Sequence, residues 1–233
     1  MEPNKTVENI LSGNCTLDQT EIYENKGRTI ICEIIKSGNK QKLEEFINKY
    51  NIALLHYTDD DFDILVYSIK NNIPIEIIKF IIEKAPYKIL DYTIKEDDNL
   101  VSTPLFSAIA QNSFQIADLL LEKGANINMT LNCAIGTVKE EEVYLNQNSS
   151  YKYYDVNFNR DCFTHEYSRV IYSNIIQYLC EANAMNSQNI KYLKEHGFNI
   201  KSVRPGIVKQ LKNNNKPEFA NLISKLINEQ NLD

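Results

Sequence analysis

The chain has 233 residues, 43% of them hydrophobic, and carries a formal net charge of −6. That acidic balance disfavours nucleic acid or an anionic membrane as the main ligand, and seven Gly, six Pro and no Trp argue against barrels, sandwiches and collagen-like chains. The N-terminus MEPNKTVENI lacks a basic stretch leading into an apolar core, and no apolar run approaches the roughly 20 residues of a membrane helix.

Residues 1–28 read as a polar N-terminal segment or cap, followed by an array over 29–233. Thr29 to Tyr50 (TIICEIIKSGNKQKLEEFINKY) predicts two helices joined at Ser37-Gly38-Asn39, with Leu43, Phe46 and Ile47 on the apolar face of the second. Ile64 to Ala85 repeats the plan 35 residues on, with a break at Asn71-Asn72 and Pro74 opening the second helix. Thr103 to Asn128 (TPLFSAIAQNSFQIADLLLEKGANIN) is the clearest unit, starting 39 residues after Ile64. Thr103 can cap free N–H groups and Pro104 suits the first helical position, where no N–H is needed. Leu105, Ala108 and Ile109 share one face, Asn112-Ser113 makes the turn, and Gly124 stops a second helix that is apolar over more than half its circumference. A pair like this cannot bury its apolar surface alone and needs stacked neighbours.

These residues resemble the ankyrin-repeat family. Thr103, Pro104, Leu105 and Ala108 match its T-P-L-H-x-A motif with Phe106 in place of His, and Leu119 to Leu121 and Gly124 to Asn128 match its Leu run and G-A-D-V-N ending. By the resemblance, Gly27 stands at a hairpin glycine, Asp98 and Asp59 at the hairpin aspartate, and Phe106 forfeits hydrogen bonds to a neighbouring loop, implying a looser junction there. The fold implied is an all-α ankyrin-repeat solenoid of about five helix pairs with short hairpin loops and one long insertion.

The insertion, about 130–172, departs from the template. Leu131 to Ile135 could be a short inner helix of a degenerate sixth repeat; alternatively the strand-like runs Glu142 to Leu145 and Tyr151 to Phe158 suggest an enlarged hairpin. Seven of the fourteen Tyr fall between Tyr144 and Tyr178, as anchors onto the array or as a recognition surface. Pairs near 173–200 and 204–228 follow, the first with Gly197 matching Gly124, the second with Pro217 near a helix start and the polar composition of a terminal repeat.

Function follows from the implied geometry. In the family, hairpin tips and exposed residues of the inner helices line the face that binds partners. Carried over by position, that face takes Asn25, Lys26, Arg28, Lys36 and Ser37 from the first pair, and Asp60, Asp61, Asp63, Asn71 and Asn72 from the second. The third supplies Asp97, Asn99, Leu100, Ser102, Ala110 and Gln111. The expectation is a non-enzymatic scaffold that binds another protein, one with a basic segment suited to the acidic tips, and that needs no cofactor, metal or catalytic residue. Reversing Asp60, Asp61 and Asp63 to Lys is expected to weaken the partner while sparing helicity.

The competing reading is a zinc or Cys-His catalytic site drawn from Cys133, Cys162, His165 and Cys180, with Asp155 or Asp161 as orienter. Only one close-spaced ligand pair supports it. A substrate-recruiting subunit of a larger assembly is a third reading. Five scattered Cys form no disulfide framework, and the N-x-T triplets at Asn14 and Asn128 matter only in a secreted chain. A monomeric cytoplasmic protein, free to enter the nucleus, is expected.

Overall fold

The computed structural model describes residues 3–12, 17, 21–22, 25–58, 62–85, 87–95, 100–135, 169–203 and 206–230. Among them the chain is mostly helical, and it divides into two compact units, Met1–Lys88 and Ile89–Asp233.

In the first unit, α1 (Pro3–Leu11) packs on α2 (Asn25–Lys36) and α3 (Lys40–Tyr50), burying Val7 and Ile10. Ile30, Ile31, Ile34 and Ile35 recur at helical spacing and are the buried side of α2. Its end is sharp because Gly38 takes a φ of 69°, open to glycine without a Cβ clash, and Asn39 then caps α3 by accepting the Lys42 N–H at 2.9 Å. After a 3₁₀ turn (Leu54–Tyr57), α4 (Ile64–Lys70) and α5 (Ile75–Lys84) repeat the arrangement. The stacking is layered: α4 lies against α2 and α5 against α3.

Gly27 is not a hairpin glycine. It lies inside α2, where an added Cβ would stand 1.8 Å from the Ile22 carbonyl oxygen, so the backbone itself packs there. Tyr57 closes the same spot by donating its hydroxyl to that oxygen at 2.8 Å.

In the second unit a short hairpin, β1 (Ile94–Lys95) with β2 (Val101–Ser102), leads into α6 (Pro104–Ala110) and α7 (Phe114–Glu122). The Thr103 hydroxyl accepts the Phe106 N–H at 3.1 Å, and every side chain from Pro104 to Ile109 is buried. Phe106 is fully buried, its ring 5.7 Å from that of Tyr178; ring packing fills the position where a looser junction was expected.

The inserted segment begins and ends as a strand pair. Leu131–Ile135 is β3, not a helix, and pairs antiparallel with β4 (Arg169–Ser173), from Leu131 opposite Ser173 to Ile135 opposite Arg169. Glu142 to Leu145 and Tyr151 to Phe158 lie outside the described residues. Directly after β4, α8 (Ile175–Glu181) packs against α6, and Asn186 at the start of α9 (Ser187–Glu195) donates to Asn112 at 3.1 Å. The pair α8/α9 therefore rests directly on α6/α7. A 3₁₀ turn (Ile200–Ser202), α10 (Ile207–Asn213) and α11 (Pro217–Gln230) complete the unit, with α11 against α9 and α10.

One local device recurs in both units. The turns between paired helices place Gly38, Asn72, Asn112, Asn183 and Asn215 in the left-handed region, four of them Asn, the side chain that tolerates it best after glycine. The intervals are 34, 40, 71 and 32 residues; the doubled one contains the β3–β4 hairpin.

Candidate protein-binding surface

The N-termini of α4, α6 and α8 are each built around a buried cap. Asp63, Thr103 and Asn174 are 1%, 1% and 5% exposed and accept the N–H groups of Val66, Phe106 and Gln177. Asp63 does more than cap: its second carboxylate oxygen accepts the Thr58 hydroxyl at 3.1 Å and the Tyr87 hydroxyl at 3.0 Å. It is the positional counterpart of Thr103, 40 residues earlier, and is removed from the expected partner-binding set because its carboxylate is spent inside the unit. Ser102 leaves the set for a similar reason; fully buried, its hydroxyl contacts Ser107 Oγ at 2.7 Å and the Thr103 carbonyl at 3.1 Å. The position carried over from the family had grouped the structural carboxylate of Asp63 with Asp60 and Asp61.

Of the remaining expected residues, Asn71 and Asn72 are exposed at the end of α4, and Gln111 is exposed at the end of α6. Leu100 and Ala110 are half-buried. Asp60, Asp61, Asp97 and Asn99, with Asp59, Glu96 and Asp98, lie outside the described residues. In the first unit Asn25 and Lys26 form the first turn of α2 rather than a hairpin tip. Arg28 sits on a helix face, half-buried, its guanidinium 4.1 Å from the Phe62 ring centroid. Lys36 is exposed, 5.6 Å from the Tyr67 ring centroid, and Ser37 is exposed beside it.

Phe62 and Tyr67, absent from the expected set, belong with these cations. Their rings lie 5.4 Å apart, and Arg28, Cys32 and Lys36, spaced by four along α2, run past them. The spacing of four was a visible signal; the opposing rings from another helix pair were not. Burial pushes the Tyr67 phenol up, with Lys36 pulling the other way, and burial likewise raises the Cys32 thiol, so neither is an activated nucleophile.

Cys162 and His165 lie outside the described residues, and Cys133 falls in β3. Cys180 is buried at the end of α8, its thiol pushed up to about 12 by burial against the pull of Lys216. Holding it as a metal-binding thiolate at neutral pH would be costly. Among the described residues no cluster of three or more His, Cys, Asp or Glu could hold a metal ion, and no helix is long and apolar enough to cross a membrane.

The family model of the ankyrin repeat matches residues 102–129, the span from the end of β2 through α6, α7 and the Gly124 turn. These residues are an ankyrin repeat. Comparison with curated proteins and with solved structures gave no match. The ankyrin repeat is joined to the segment after α9 by one side-chain amide: Asn128 accepts the Asn199 N–H at 2.6 Å and donates to the Gly197 carbonyl at 3.2 Å. A glycan on Asn128 would break that joint. On the other side of the repeat, Asp91 accepts the Asn126 N–H at 2.8 Å.

Proposed function

We propose that the chain is a non-enzymatic scaffold whose helix pairs are all ankyrin-type repeats of one solenoid, and that it binds a partner protein through hairpin tips and exposed ends of inner helices. The observation that carries this reading is the ankyrin repeat itself at residues 102–129. Support for the weaker repeats comes from the shared buried caps Asp63, Thr103 and Asn174 and the left-handed turn residues in both units. Ankyrin repeats are in general protein-interaction modules, and the exposed Asn71, Asn72 and Gln111, with half-buried Leu100 and Ala110, are where a ligand would meet this chain.

The acidic tips Asp60, Asp61 and Asp97, with Asn99, favour a partner carrying a basic segment, since complementary charge speeds encounter and fixes register. Arg28 and Lys36 would set the opposite end of that face. The protein works as a monomer in the cytoplasm, where unpaired thiols persist. The test is charge reversal, Asp60→Lys with Asp61→Lys, leaving Asp63 intact as a cap. Retention of partner proteins on the immobilised chain should drop at least tenfold, while the helical circular-dichroism signal stays as in wild type. Unchanged retention would reject the acidic tips as the contact.

A further inference from the structure

We propose that the cleft between α8 and α10 is a socket for one glutamine side chain of a partner protein. α8 packs against α6 on one side, and on another it faces α10 across a cavity of about 110 Å³. That volume holds several waters and falls well below a cofactor pocket, so it suits a single side chain. Helical spacing sets the walls: Gln177, Cys180 and Glu181 share one face of α8, and Ile207 and Leu211 share one face of α10. Cys180, Ile207 and Leu211, all buried, make the floor apolar.

Two polar groups at this cleft have bonding capacity left over, of opposite sense. Gln177 is only 9% exposed, and its Nε2 donates to Glu181 Oε1 at 2.9 Å, which sets the amide along the cleft wall. Its Oε1 is buried and meets no donor among the described residues. Flipping the amide repairs nothing, because the oxygen would then face a carboxylate. Lys216, half-buried and also on the cleft, gives one N–H to the Cys180 carbonyl at 2.9 Å and lies 5.4 Å from the Phe219 ring centroid. An ammonium has three N–H donors, so donors remain for a guest.

A buried acceptor beside a held donor calls for a guest that both donates and accepts. A primary amide does so in one planar group, its N–H to Gln177 Oε1 and its carbonyl to Lys216. The methylene stem of glutamine then covers Cys180, Ile207 and Leu211. Competing side chains each fail. Lysine brings a second ammonium beside Lys216, glutamate sets a carboxylate against Gln177 Oε1 and Glu181, and leucine leaves Oε1 without a donor. The inference rests on the scaffold reading only for the existence of a partner protein. Charge reversal at Asp60 and Asp61 tests that reading, and the socket is tested without a partner, so the two fail separately.

The probe is N-acetylglutamine N-methylamide, titrated into the isotope-labelled full chain and followed by NMR, with the glutamate, lysine and leucine counterparts alongside. The glutamine probe should shift the backbone signals of Gln177 to Glu181 and Ile207 to Leu211 to saturation, and bind at least about threefold more tightly than each counterpart. Lys216→Met keeps the stem and removes the ammonium, and should bring the glutamine probe down to the leucine level. Gln177→Leu should do the same; if that buried change unfolds the chain, Lys216→Met carries the test. Shifts that never saturate, equal binding of the leucine probe, or unchanged binding of the glutamine probe to Lys216→Met would overturn the socket.

Discussion

Asp63 shows how much one side chain can decide. Its carboxylate collects the Val66 N–H and the hydroxyls of Thr58 and Tyr87 in a site only 1% exposed. Asp63→Ala removes a cap and orphans two hydroxyl donors, so urea unfolding should show a loss of roughly 2–4 kcal/mol. Asp63→Lys should cost at least as much, since an ammonium would replace an acceptor there. Equal stability of Asp63→Ala and wild type would return Asp63 to the surface set. Cys180 gives a second residue-scale prediction. Its thiol is held to about 12 in the folded chain against an ordinary value of 9.0, so the folded state keeps this proton while the unfolded chain loses it. Its contribution to stability is complete below about pH 9 and drains away as pH climbs toward about 12. In native protein at about pH 8, iodoacetamide should label Cys180 far more slowly than in urea; equal rates would contradict the burial.

At the scale of elements, the sequence was readable where helical periodicity ran through a capped segment. Thr103-Pro104, the Leu119 to Leu121 run and Gly124 mark both helices of the ankyrin repeat, and Asn71-Asn72 and Ser37-Gly38 mark turns, because each signal acts within a few residues. Leu131 to Ile135 was not readable. Five residues of mixed character fit a helix or a strand, and the partner that decides, Arg169–Ser173, lies more than thirty residues away. Gly27 failed similarly, since the Ile22 carbonyl that demands a glycine is a packing neighbour rather than a motif. α8 packs directly on α6 although the β3–β4 pair lies between them in sequence. Replacing residues 136–168 with Asn-Gly would close β3 and β4 at Ile135 and Arg169 with a two-residue turn. The shortened chain should keep its helical signal and melt within about 5 °C of wild type; loss of cooperative melting would make the segment integral to the unit. Phe106→Ala, by contrast, empties the centre of the ankyrin repeat and should cost about 3–5 kcal/mol.

At the scale of the molecule, burial removes Asp63 and Ser102 from the set expected to face a partner. Exposed Asn71, Asn72 and Gln111 follow from counting along a repeat. Asp63 and Ser102 look identical to surface residues until their burial is known, and the Phe62–Tyr67 rings beside Arg28 and Lys36 arise from packing between successive helix pairs. The proposed scaffold role rests on partner contact through tips and inner-helix ends, and that contact is open to direct mapping. The decisive measurement is the change in amide hydrogen exchange across the chain when a partner retained by the wild-type protein is added at saturation. Protection concentrated at the tips and inner-helix ends, around residues 60–61, 71–72, 97–100 and 110–111, is the predicted result. Protection confined to α3, α5 and α7, with those segments exchanging as in the free chain, would contradict it.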